Sequence, residues 1–179
     1  MTINELKELI PDHGRDVRLN LETVLTEEGA PGLTTPQIWG IALACSYALA
    51  SDPLIKTSLA GGQGHLDDIY VEASKGAATI MAMNNVYYRS MHLLDDAELK
   101  KMPARLRMNI IGKPGVEKID FELMCLAVSA ISGCGQCLTA HVHEVRKAGL
   151  ANEAIHSALR IASVVNAANS AVKIGQTAG

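Results

Sequence analysis

Aromatic side chains are almost missing from this sequence: one Trp, one Phe and four Tyr make up 3% of its 179 residues. The core must therefore be filled by Ala, Leu, Ile, Val and Met, and a chain that is 48% hydrophobic has enough of them to bury a sizeable one. Side chains this small let helices approach closely, and strand signals hardly appear, so the expected class is all-α. Basic runs are missing too. Nothing is longer than the Lys100-Lys101 pair and the net charge is −3, so a phosphate backbone would find no electrostatic footprint and nucleic acid is not an expected partner. No apolar span reaches the roughly 20 residues a bilayer requires. Ala30 to Ser51 is interrupted by Pro31, Pro36 and Gln37, and Leu123 to Ala140 by Ser129, Ser132, Gly133 and Gln136, so no membrane segment is expected. The opening Met1-Thr2-Ile3-Asn4-Glu5 has an acidic residue where a secretory leader carries a basic stretch and an apolar run, which points to the cytoplasm. In that compartment four cysteines do not read as a disulfide framework, and a closely spaced pair reads as catalytic or metal-binding.

Helix punctuation recurs along the chain. Thr35-Pro36 and Asp52-Pro53 each put a capping side chain before a proline suited to the first helical turn. The pattern predicts helices over Ile3–Leu9, Arg15–Thr26, Pro36–Ala50, Pro53–Leu59, Leu66–Met91, Ala97–Lys101, Asp120–Ile131, Cys134–Ala148 and Asn152–Ile174, with Gly149 as the stop of the eighth. Gly61-Gly62-Gln63-Gly64 and Gly112-Lys113-Pro114-Gly115 are the clearest breaks. They fit one helical domain over residues 1–179 with a soft boundary near Gly112. A faint internal echo suggests two repeated helical units: Gln37-Ile38-Trp39 opens a helix much as Glu122-Leu123-Met124 does, and Ile80 to Asn85 is spaced like Ile161 to Asn166. Only the second unit holds a cysteine pair.

That pair lies in Cys134-Gly135-Gln136-Cys137-Leu138-Thr139-Ala140-His141, preceded by Ser132-Gly133. Helical offsets of three and seven put both thiols and the imidazole on one face. With Ser132 or Gly133 as the cap, Cys134 falls in the first turn, where free N–H groups and the macrodipole stabilise a thiolate. It is then the sulfur nearest solvent, while Cys137, one turn deeper, lies under Leu138 and His141. His141 follows Cys137 by four residues and can take its proton, whereas Cys134 and His141 are about 10 Å apart along the axis. That separation weighs against a shared zinc ion, whose ligand atoms lie roughly 2.0–2.3 Å from the metal, so no metal is expected. If the preceding helix runs back along this one across the Ser132-Gly133 turn, Glu122 arrives beside His141 to His143. A carboxylate there orients the imidazole and completes a relay to the thiol. Cys45 and Cys125, each alone in an apolar helix, read as small core hydrophobes. His13, His65, His92 and His156 read as surface or satisfied residues, and His143 points to another face.

With these residues in view, the chain resembles the alkyl hydroperoxidase D family of the carboxymuconolactone decarboxylase superfamily over nearly its whole length. The specific part is the C-x-x-C-x-x-x-H core with Glu122 upstream; Met83-Asn84-Asn85-Val86-Tyr87-Tyr88-Arg89, Arg107-Met108-Asn109-Ile110-Ile111 and Phe121-Glu122-Leu123 add to it. The resemblance implies an all-helical protein, commonly a homotrimer, that reduces organic hydroperoxides and regenerates a peroxiredoxin partner, alkyl hydroperoxide reductase C. It implies that Cys137 becomes a sulfenic acid, that Cys134 resolves it into a Cys134–Cys137 disulfide and exchanges with partners, and that Glu122 and His141 deliver protons. It implies no bound cofactor. Electrons come from dihydrolipoyl groups on a lipoylated acyltransferase, restored by dihydrolipoamide dehydrogenase. Some relatives place a histidine between the cysteines where this chain has Gln136.

Three other readings compete. A lactone decarboxylase has no use for a redox dithiol. A thioredoxin-like carrier needs a βαβ context that this helical pattern does not supply. A non-enzymatic redox sensor fits the cysteine pair, but it oxidises once per cycle and does not sustain peroxide consumption.

Overall fold

Two stretches of the chain are apolar on every side, and a helix of that kind has to be buried on every side. They are α3, Thr35–Ala48, buried continuously from Ile38 to Ser46, and α8, Lys118–Ser132, buried from Phe121 to Ser129. The computed structural model describes residues 1–177, and the regular structure among them is all helix, without strands. Around α3 and α8 the other helices are α1 (Ile3–Glu8), α2 (Arg15–Val24), α4 (Asp52–Gly61), α5 (Asp68–Leu94), α6 (Ala97–Lys101), α7 (Asn109–Gly112), α9 (Gly135–Lys147) and α10 (Asn152–Thr177). The all-α class is as expected, and no helix among the described residues is long and apolar enough to cross a membrane.

α3 and α8 pack against each other, and each also packs against both long helices, α5 and α10. Small residues make this possible. A Cβ on Gly40 of α3 would come within 2.3 Å of the Tyr70 ring on α5 and 2.9 Å of Met124 Cε on α8, so three helices meet where no side chain fits. The caps sit one residue earlier than the proline pattern suggests: Thr34 rather than Thr35 precedes α3, and Ser51 rather than Asp52 precedes α4. Two elements escaped the pattern, a short 3-10 turn at Asp12–Gly14 and the four-residue α7. α7 lays Ile110 against Gly76 of α5.

The helix order repeats. α3, α4 and α5 have 14, 10 and 27 residues, and α8, α9 and α10 have 15, 13 and 26. The match is closest at the turns. α3 runs into Ala50 in the left-handed region (φ 49°) and Ser51 at φ −104°, ψ 99°; α8 runs into Gly133 (φ 68°) and Cys134 at φ −90°, ψ 92°. The Ser51 N–H donates to Ser46 O at 3.2 Å, as the Cys134 N–H does to Ser129 O at 3.2 Å. This register sets Trp39, not Gln37, opposite Glu122. It also sets Ser51, Leu54 and Ser58 opposite Cys134, Cys137 and His141, so the first copy has no dithiol.

Candidate active site

The site is built on the α8–α9 turn. Gly133 ends α8 in the left-handed conformation that glycine adopts without strain, and the chain turns at once into α9. Cys134 is therefore the N-cap of α9 rather than a residue of its first turn, and its Sγ accepts the Cys137 N–H at 3.3 Å. The expectation that Ser132 or Gly133 caps this helix is corrected accordingly. Cys134 and Cys137 are joined by a disulfide, with their Cα atoms 5.3 Å apart.

Exposure is also the reverse of the expectation. Cys134 is 0% exposed and Cys137 6%. Cys134, at the turn between two packed helices, has no exposed surface, whereas Cys137, one turn on, reaches the side of α9 that borders a cavity. Cys137 is thus the more accessible sulfur, and it sits 4.0 Å from the carbonyl oxygen of Asn84 on α5.

α8 and α9 form an antiparallel hairpin whose register two pairs define. Lys118 donates to Glu144 Oε2 at 2.9 Å near the open end, and one turn further in Glu122 Oε2 lies 2.7 Å from His141 Nδ1. Counting from the turn located Glu122 correctly, with His141 rather than His143 as its partner; His143 is exposed. Glu122 and His141 are both buried, which suits a mutually satisfied pair and would be costly for either alone. The second ring nitrogen of His141 lies 3.2 Å from Met81 Sδ on α5.

Above these groups is a cavity of about 280 Å³. Its walls are mostly apolar: Met81 and Tyr88 from α5, Met108 from the segment before α7, and Ile111 from α7. Cys137, Glu122 and His141 line it, with Gln136 beside them, while Cys134 does not. The cavity thus brings one sulfur and the Glu122–His141 pair to a single, mostly apolar space. Asn84 and Tyr88 fall in the Met83–Arg89 stretch that carries the resemblance, without a site role read from it, and Met81 lies outside that stretch; all three line the cavity. They share one face of α5 at helical spacing, but nothing in the sequence says which face of that helix meets α9.

Cys45 and Cys125 are fully buried and belong to the core, as expected. Burial pushes the Cys45 thiol up to about 12; burial together with the nearby Glu122 charge pushes Cys125 well up, so both stay protonated at neutral pH. His13, His65, His92 and His156 are all on the surface.

The family model described as the carboxymuconolactone decarboxylase family matches residues 97–176, a span that holds the whole hairpin. The chain is 50% identical over 167 residues to an alkyl hydroperoxide reductase AhpD of Rhodospirillum centenum, covering 93% of this chain and 88% of that one. It is 47% identical over 177 residues to the AhpD of Brucella abortus, covering 99% of both, and 48% identical over 167 residues to that of Frankia alni, covering 93% and 89%. At this identity over almost the full length of both partners, the chain belongs to the AhpD family of alkyl hydroperoxide reductases.

Proposed function

We propose that this protein is an antioxidant thiol peroxidase that reduces alkyl hydroperoxides through a Cys134–Cys137 dithiol/disulfide cycle and returns a peroxiredoxin of the AhpC kind to its reduced form. The observation that carries this reading is the placement of Cys137, bonded to a buried Cys134, at the edge of a mostly apolar cavity that the Glu122–His141 pair also lines.

In the oxidative half, the Cys137 thiolate attacks the terminal oxygen of ROOH. The O–O bond breaks, the alkoxide takes a proton from the Glu122–His141 pair and leaves as ROH, and Cys137 becomes a sulfenic acid. Cys134 then attacks that sulfur; the S–S bond forms and water leaves. Two thiols have been oxidised and one peroxide reduced. In the reductive half a dihydrolipoyl dithiol supplies two electrons and two protons. Its thiolate must reach a sulfur in line with the S–S bond, and the burial of Cys134 directs the attack to Cys137. The departing Cys134 thiolate keeps the Cys137 N–H and the positive end of α9, a favourable place for a leaving group. Partner exchange, which the sequence pattern suggests for Cys134, is therefore proposed at Cys137.

The donor in this scheme is a lipoylated acyltransferase recharged by dihydrolipoamide dehydrogenase, the compartment is the cytoplasm and the assembly is a homotrimer. The resemblance to the family supports the donor and the trimer, and the scheme uses no resident cofactor.

The decisive experiment gives the purified protein tert-butyl hydroperoxide and reduced lipoamide. Sustained consumption of both, lost on Cys137→Ser, is the expected outcome. A single stoichiometric oxidation without turnover would identify a redox sensor instead.

A further inference from the structure

We propose that Met81 is a positioning residue of the redox site: its thioether accepts a hydrogen bond from His141 Nε2–H and holds the imidazole with that proton turned toward α5. The inference rests on the proposed role of His141 and deepens it.

The case is a count of donors and acceptors. A thioether sulfur has lone pairs and no proton, so it can only accept. His141 Nε2 lies 3.2 Å from Met81 Sδ, and an unprotonated Nε2 at that separation would set its lone pair against those of sulfur. Nε2 therefore carries a proton. The other ring nitrogen lies 2.7 Å from Glu122 Oε2, and one proton sits between those two atoms, whichever of them holds it. The pair thus contains two protons, as carboxylate with imidazolium or as carboxyl with neutral imidazole. Either way its net charge is zero. Burial leads to the same count, because Glu122 is 3% exposed and His141 7%, and a lone carboxylate there would be far more costly than a neutral pair.

Met81 is suited to the task. It is 1% exposed and packed between α5 and α8, so its sulfur has little room to turn away. Its other polar neighbour is Ser129 Oγ at 3.4 Å, but that hydroxyl has a single proton and a shorter contact to Asn85 Oδ1 at 2.9 Å. The sulfur is left to His141. A leucine in its place would fill nearly the same volume without offering a lone pair. Met81 also borders the cavity, but the role assigned to it here is to fix the ring between two acceptors, so that the Nε2 proton is stored in a defined place while the disulfide has no thiolate to receive it.

The test starts from the oxidised, full-length protein labelled with ¹⁵N, and reads the ring nitrogens of His141 by long-range proton–nitrogen correlation. The expected result is a protonated Nε2 whose proton exchanges slowly with water. In Met81→Leu that exchange should quicken and lipoamide-dependent turnover should fall, each by roughly two- to tenfold, the range set by the net strength of one hydrogen bond. Met81→Gln, which offers an amide oxygen of similar reach, should recover both. An unprotonated Nε2 in the unsubstituted protein overturns the proposal whatever the variants do. So does a Met81→Leu protein that folds and matches the parent in both readouts, since Met81 would then be packing alone. His141→Phe separates the two levels of inference: if it turns over like the parent while the nitrogen spectra are as expected, the Met81 contact stands and the role given to His141 falls.

Discussion

Replacing Glu122 with Ala removes the carboxylate oxygen 2.7 Å from His141 Nδ1. Glu122 is 3% exposed and His141 7%, so the pair is shielded from bulk solvent and is approached only through the space that both residues line. Breaking a buried pair by removing one partner costs roughly 3–5 kcal/mol, mostly because the other is left buried and uncompensated. His141→Phe should cost a similar amount for the mirror reason, since it strands the carboxylate. The double variant strands neither group. Its destabilisation should therefore fall short of the sum of the two single effects by about 2 kcal/mol, within the range of about 0.5–3 kcal/mol seen for residues in contact. Urea unfolding of the four oxidised proteins, followed by far-UV circular dichroism with the denaturant slopes compared, measures this directly. Single effects that add to within roughly 0.5 kcal/mol would mean the two groups are not energetically coupled, and the relay would lose its basis. In turnover, losing the pair should slow peroxide reduction by about a hundredfold or more, the scale of a positioned proton donor or acceptor.

Three further outcomes are expected. Mixing Cys134→Ser with oxidised lipoamide should trap a mixed disulfide on Cys137, mapped by mass spectrometry; an adduct formed by Cys137→Ser on Cys134 instead would show that the cap is uncovered in solution. Burial raises the Cys45 thiol from its ordinary 9.0 to about 12, so the folded state favours the protonated form. The resulting stability is complete below the unfolded value and is lost as pH climbs from 9 towards 12, about 2–3 kcal/mol of it by about pH 11; chemical unfolding of parent and Cys45→Ala at several alkaline pH values should show their difference shrinking, and a constant difference would contradict it. Gly133→Ala meets no atom within 4 Å, so its only penalty is the φ of 68°; a loss of about 1 kcal/mol in denaturant titration is expected, and no loss would mean the α8–α9 turn can relax.

Local signals carried much of this architecture, because helix starts and stops are set by the residues next to them. The Glu122–His141 contact could be counted out for the same reason: a tight turn between two helices leaves few registers, and both residues lie close to it in sequence. The exposure of the two sulfurs could not be read that way. Helical offsets give the angle at which a side chain leaves its own axis, and the burial of Cys134 depends on what the rest of the fold packs around it. The place of Met81, Asn84 and Tyr88 at the site was hidden by distance along the chain, since α5 reaches it from the first half of the sequence. α7, at four residues, is shorter than the window over which helical periodicity shows itself.

The serine at position 51 takes almost the same backbone angles as Cys134, and makes the same hydrogen bond back to the preceding helix, in a turn that has no sulfur at all. The molecule thus carries an unreactive replica of its own reactive corner. The replica holds its shape with helix ends and packing alone, so the reactive corner needs no covalent staple to hold the same shape. In the cycle proposed above, opening and closing the bond is then a change for side chains to make, with the backbone of the corner kept by the same helix ends that keep its replica.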